Sequence, residues 1–146
     1  MILFCDTSAL VKLYVDEAGA DNLRRRAQSA AAIAVARISW AEAMAGLARR
    51  QRESPSQELV LDRVRSRLKA DWAFFLIVEV TQAVVELAGD YAETFALRGY
   101  ESVQLAAAQV IKRSITEPVC FGCFDRKLEK AAQVLGFLSL SGERCA

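Results

Sequence analysis

Four acidic residues, Asp6, Glu42, Glu101 and Asp125, each stand where the sequence begins a helix. Asp6 closes the apolar run Ile2-Leu3-Phe4-Cys5 and leads into Thr7-Ser8, so it falls between a buried strand and a helix. Asp125 follows Val119-Cys120-Phe121-Gly122-Cys123-Phe124 in the same way. Glu42 completes Ser39-Trp40-Ala41-Glu42, the pattern of a capping box, and Glu101 opens an alanine-rich stretch. Taken singly, each acid is explained as a cap or dipole partner, worth about 0.3–1 kcal/mol. Gathered on one rim they would repel, and some would take up protons unless a cation joined them. Oxygen-only ligands select Mg²⁺ or Mn²⁺ over zinc.

Whether the acids meet depends on the elements that carry them. Apolar runs at Ile2–Cys5, Ala32–Ala36, Phe74–Val78 and 119–124 read as strands, with 137–140 as a short edge strand. Between them lie helical segments: 8–14, Ala20–Ser29, one from Ser39 into Arg49-Arg50-Gln51-Arg52, and one opened by Ser54-Pro55. That last helix carries Leu59, Val60, Val64, Leu68 and Trp72 as its apolar face, and it forms an antiparallel hairpin with the helix before it. Thr81 caps a further helix, with Gly99 as the residue that ends it. Helices then follow at 103–112 and 126–135, the second closed by Gly136. Strands alternating with helices predict an α/β fold over residues 1–146. It is a single domain, a three-layer α/β/α sandwich with a mostly parallel sheet of four to five strands. In such sheets the carboxyl-end rim collects ligands, and all four acids are expected there.

Composition narrows the chemistry. The 146 residues are 53% hydrophobic and carry a formal charge of +1, so net charge does not select a partner. No histidine is present, which excludes Ser-His and Cys-His catalysis and histidine-ligated zinc. Cys120 and Cys123 have CxxC spacing, but they lie in a strand-like run with no second pair. With Cys5 and Cys145, they read as buried reduced thiols. No run approaches the ~20 apolar residues of a membrane span, and the amino terminus lacks a signal peptide's basic region. A cytoplasmic protein is expected.

The stretch 6–14, Asp-Thr-Ser-Ala-Leu-Val-Lys-Leu-Tyr, resembles the opening motif of PIN-domain ribonucleases, VapC-like toxins in particular. Ser39-x-x-Glu42, then 97–106 (Leu-Arg-Gly-Tyr-Glu-Ser-Val-Gln-Leu-Ala), then Phe124-Asp125-Arg126-Lys127-Leu128, are similar to its later motifs in order and spacing. The resemblance spans nearly the whole chain. It implies a PIN-like fold, an acidic Mg²⁺ or Mn²⁺ site, endoribonuclease activity on RNA, a cognate antitoxin and a homodimer. Carried onto this sequence, Asp6 and Glu101 hold the metal, and Glu42 and Asp125 complete it. Ser8 either donates to a phosphate oxygen or metal water, or serves as an N-cap. The chain departs from the family at Glu101 (usually Asp), Gln104 (commonly His) and Cys123 (often Thr or Ser). Arg49, Arg50, Arg52 and Lys69 on the helical hairpin are candidates for gripping the RNA backbone; a solvated helix face is the alternative.

Two other enzyme classes fit less well. A haloacid-dehalogenase-like phosphatase wants a second aspartate two residues after the first, where Ser8 stands. A response-regulator receiver needs an acidic pair near the amino terminus. A non-enzyme alternative is a PIN-fold binding protein, weakened as a catalyst by Glu101 and Gln104, that keeps antitoxin or RNA binding.

Overall fold

The computed structural model describes residues 1–141, so Cys145 lies outside the described residues. The chain runs β1 (Ile2–Cys5), α1 (Thr7–Lys12), α2 (Ala20–Ser29), β2 (Ala32–Ala36), α3 (Ser39–Glu53) and α4 (Glu58–Asp71). It continues through β3 (Leu76–Val78), α5 (Gln82–Phe95), α6 (Gly99–Ser114), β4 (Val119–Gly122) and α7 (Arg126–Val134). The four strands lie in the order β3-β2-β1-β4, and every pairing is parallel. The predicted three-layer sandwich is present.

Period-two alternation in the central strand divides the core. Phe4 packs on one face with Phe121, Leu105, Ala106 and Leu128, beneath α5, α6 and α7. Leu3 and Cys5 face the other way with Leu10, Leu23, Val35, Leu47 and Leu68, beneath α1 to α4. Strand order also reverses at β1: the chain steps outward to β2 and β3, then returns to place β4 on the other side. The crevice between the carboxyl ends of β1 and β4 is therefore the topological switch point, where open α/β sheets take their ligands. Asp6 and Asp125 follow those two strands.

Several local readings change. Residues 137–140 form no strand; Leu138 makes a single parallel bridge to Cys120, which leaves four strands among the described residues. The third strand shortens to Leu76–Val78, because Trp72–Phe74 is a 3-10 turn that leaves Phe74 84% exposed. Trp72 holds that turn by edge-on ring contacts with Trp40 and Phe75. On α4 the buried stripe is Leu61, Val64 and Leu68, while Leu59 and Val60 occupy an uncovered first turn. Helix α5 ends on Ala96 in the left-handed conformation (φ 52°), and Gly99 instead begins α6. Cys5, Cys120 and Cys123 are free and buried, in keeping with reduced thiols.

Candidate functional site

Asp6 is held by the first helical turn. Its backbone is extended (φ −65°, ψ 174°), its N–H donates to the Gly122 carbonyl at 3.0 Å, and its Oδ1 accepts the Ala9 N–H at 2.8 Å. Asp6 is therefore the N-cap of α1, the role that Ser8 was a candidate for. The Ser8 hydroxyl instead donates to Asp6 Oδ1 at 2.7 Å. Neither bond uses Oδ2. Only 8% of the Asp6 surface is exposed, and burial pushes its carboxyl from 3.8 up to about 6. The Ala9 and Ser8 hydrogen bonds pull it down, and the charge of Glu42 pushes it up again.

Glu42 lies on the first turn of α3, but Ser39 and Glu42 do not form the expected capping box. Ile38 is the N-cap, with no side-chain cap bond. Ser39 is fully buried one residue inside the helix, its hydroxyl taken by Gln104 and Thr7. Glu42 Oε1 accepts from Gln104 Nε2 at 3.0 Å. Glu101 turns back onto its own helix, where Oε2 accepts the Arg98 N–H at 2.9 Å. It thus fills the capping-box role that the sequence pattern placed at Glu42. Asp125 caps α7 through the Leu128 N–H, accepted on Oδ1 at 2.9 Å, and its side chain is exposed.

The four acids therefore share one rim but divide electrically. The charge of Glu42 acts on Asp6 as a like charge. Glu101 and Asp125 both act on the guanidinium of Arg98, whose pKa is raised first by its bond to the Tyr100 hydroxyl and then by the nearby acids. Cys123, between the two halves, is pushed up by burial first and then by the charge of Asp6, with Glu129 and Asp125 adding less. Among the described residues, none of the ion pairs involves Asp6, Glu42, Glu101 or Asp125. No three acids or cysteines among them stand close enough to hold one ion. The four-carboxylate cluster expected from the sequence is thus not assembled.

Asp6 and Glu42 nevertheless suit a hard ion. Mg²⁺ is commonly held by one or two carboxylates while keeping several waters, unlike the closed four-ligand sites of structural zinc. A buried carboxylate beside a second one, with no ion pair to either, is the donor set such an ion completes. A cleft of about 390 Å³, lined by Lys112, Pro118, Gln133 and Phe137, lies away from this rim, at the opposite end of the sheet where β4 begins.

The candidate RNA-gripping residues lie on the hairpin away from the acids. Arg49 pairs with Glu53 at 3.0 Å, and Arg50 with Glu17. Arg52 and Lys69 are exposed. In the sequence Gln104 stands out only as a departure from the family; its burial and its hydrogen bonding to Thr7, Ser39 and Glu42 emerge from the fold. Its signal was an uncharged amide directly before the apolar run Leu105-Ala106-Ala107-Ala108.

A parallel sheet with an acidic carboxyl-end rim and an aspartate at its switch point defines the class. The PIN domain family model matches residues 3–134, and the chain belongs to that family. It is 29% identical over 136 residues to Ribonuclease VapC45 of Mycobacterium tuberculosis (strain CDC 1551 / Oshkosh), covering 92% of each chain. In fold it is similar to a toxin-antitoxin complex from Klebsiella pneumoniae (TM-score 0.59, 18% identity, 82% of this chain and 84% of that one). It is likewise similar to FitAcB from Neisseria gonorrhoeae (TM-score 0.61, 17% identity, 90% and 93%). Among the described residues no helix is long and apolar enough to cross a membrane.

Proposed function

We propose that this chain is a divalent-metal-dependent endoribonuclease, the toxin of a toxin–antitoxin pair, that cleaves RNA phosphodiester bonds. One observation carries the reading: Asp6 is buried at the switch point, pushed up to about 6, beside a second carboxylate and without an ion pair among the described residues. Its likeness to VapC45 supports ribonuclease chemistry, and its likeness to a toxin-antitoxin complex supports an antitoxin partner. A homodimer belongs to the same proposal.

Asp6 and Glu42 are the residues that would hold Mg²⁺ or Mn²⁺. Such an ion, when bound, relieves charge on a phosphate and makes a water more acidic. Ser8 keeps Asp6 Oδ1 in place, so that carboxylate enters the reaction already oriented. Asp125 stands exposed across the crevice, able to accept a proton or orient water near the scissile phosphate. Glu101 commits Oε2 to the Arg98 N–H, so Oε1 is the oxygen with which it would help hold an ion or its water. Arg49, Arg50, Arg52 and Lys69 contribute phosphate contacts along the hairpin.

Glu101's engagement with its own helix favours one second reading, a PIN-fold protein that binds its partner but cuts slowly. Cleavage of a mixed RNA pool, with Mn²⁺ or with EDTA, decides between them when compared with antitoxin binding in EDTA. The nuclease reading expects Mn²⁺-dependent fragments that Asp6→Asn and Glu42→Gln each reduce by at least about a hundredfold. Intact antitoxin binding with no Mn²⁺-dependent cleavage would establish the second.

A further inference from the structure

We infer that Gln104 is a positioning residue: its carboxamide fixes Glu42 beside Asp6, so that the two carboxylates can share one hard cation. The inference rests on the acidic-site reading above and adds to it the group that assembles the site.

Gln104 lies in the second turn of α6 and is 2% exposed. Its Nε2 is 3.0 Å from Glu42 Oε1, 3.0 Å from Ser39 Oγ and 3.2 Å from Thr7 Oγ1. The Thr7 hydroxyl in turn donates to Ser39 Oγ at 3.2 Å. One side chain on α6 therefore ties the start of α1 to the start of α3. A carboxylate only accepts, so the NH₂ of Gln104 must face Glu42.

Two features set this apart from ordinary core satisfaction. The amide has two hydrogens for three acceptors, and its two shorter contacts, both 3.0 Å, are to Glu42 Oε1 and Ser39 Oγ, so the carboxylate takes a hydrogen that the Thr7 hydroxyl alone could have satisfied. The donor is also neutral. An Arg or Lys at this place would hold Glu42 by cancelling its charge, whereas an amide orients the carboxylate and leaves its charge available to a cation. Groups that orient metal-binding carboxylates commonly change metal affinity 10–100-fold when lost.

Mn²⁺ binding by electron paramagnetic resonance tests this in the full chain, on wild type, Asp6→Asn, Glu42→Gln, Gln104→Leu and the Glu42→Gln/Gln104→Leu double variant. Asp6→Asn is expected to remove the site, and Gln104→Leu to weaken Mn²⁺ about tenfold or more. In the Glu42→Gln background the same change should cost less than about twofold, since Gln104 acts through Glu42. An equal loss in both backgrounds would indicate general damage and overturn the inference. Wild-type Mn²⁺ affinity in Gln104→Leu, with the site gone in Asp6→Asn, would overturn it and leave the nuclease reading standing. Equal binding by wild type and Asp6→Asn would sink the acidic-site reading, and this inference with it. Should Gln104→Leu fail to fold, the side-chain amide resonances of Gln104 in metal-free wild type give the answer. They should shift on Glu42→Ala and stay in place on Glu101→Ala; equal responses would overturn the assignment.

Discussion

The Ser8 hydroxyl and the Ala9 N–H converge on one oxygen of Asp6, at 2.7 and 2.8 Å. Both bonds favour the ionised carboxyl, yet burial outweighs them and leaves the group at about 6. Ser8→Ala removes one of the two, so the Asp6 midpoint should rise further. A carbon-detected titration of the carboxyl in the metal-free protein reads this directly. An unchanged or lowered midpoint would show that the hydroxyl does not hold the charged form.

Asp6 also makes stability depend on pH. Its carboxyl lies near 3.8 in an unfolded chain and about 6 in the fold, so the folded state prefers the proton. The stability this preference contributes is fully present below 3.8 and is lost as pH rises through about 6, by roughly 3 kcal/mol at most. Asp6→Asn keeps an oxygen that can accept from Ser8 and Ala9 but carries no charge. In EDTA at pH 7.5 it is expected to exceed wild type in urea-unfolding free energy by up to about 3 kcal/mol, with the gap closing near pH 4. A gap that does not vary with pH would refute the raised carboxyl.

What the sequence made legible was whatever a short window determines. The strand-to-helix joints at Asp6 and Asp125 could be read because an apolar run, an acid and a helix former lie adjacent in the chain. Helix α2 and strand β2 match their predicted bounds for the same reason. The division of the acids was not legible. Whether Glu42 or Glu101 closes a capping box depends on the hydroxyl at Ser39 and the backbone at Arg98. Those are settled by Gln104, 65 residues from Ser39, and by where α6 begins. Likewise, Gly99 looked like the residue that ends α5, but the fold uses Ala96 in the left-handed conformation and spends Gly99 on the next helix.

Ala96 offers a separate test. A non-glycine residue at φ 52° carries steric strain that glycine avoids. Ala96→Gly should therefore stabilise the chain by about 0.5–1 kcal/mol, because relief in the folded state exceeds the added freedom of the unfolded one. Thermal unfolding of the metal-free protein measures it. Destabilisation would mean that the α5 terminus is not left-handed in solution.

Gly122 tests the switch point itself. A Cβ there would stand 3.2 Å from the Phe4 carbonyl oxygen and 3.5 Å from both the Ala9 Cβ and the Leu3 Cδ1. The carbonyl of Gly122 also accepts the Asp6 N–H. Gly122→Ala is expected to cost about 1–3 kcal/mol through overpacking of β1 against β4. Because the crowded atoms flank Asp6, cleavage should fall further than the loss of folded protein explains. Activity per folded molecule equal to wild type would show that the joint tolerates the shift.

The hairpin cations make the last prediction one about salt. Arg49 and Arg50 are engaged with Glu53 and Glu17, whereas the exposed Arg52 and Lys69 take part in none of the ion pairs among the described residues. A phosphate contact by either would release a counter-ion, and each such contact steepens the salt dependence by roughly 0.7 in log–log slope for a single strand. Arg52 lies ten residues beyond Glu42 on α3, about 15 Å along the helix axis, so an RNA strand of a few nucleotides spans both. RNA affinity of the Asp6→Asn chain, measured by anisotropy across a KCl series, is expected to show a shallower slope once Arg52→Ala and Lys69→Ala are added. Arg49→Ala alone should change the slope less, because Glu53 already holds that guanidinium. Identical slopes in all three proteins would place the RNA on another face and leave the hairpin charges as a solvated surface.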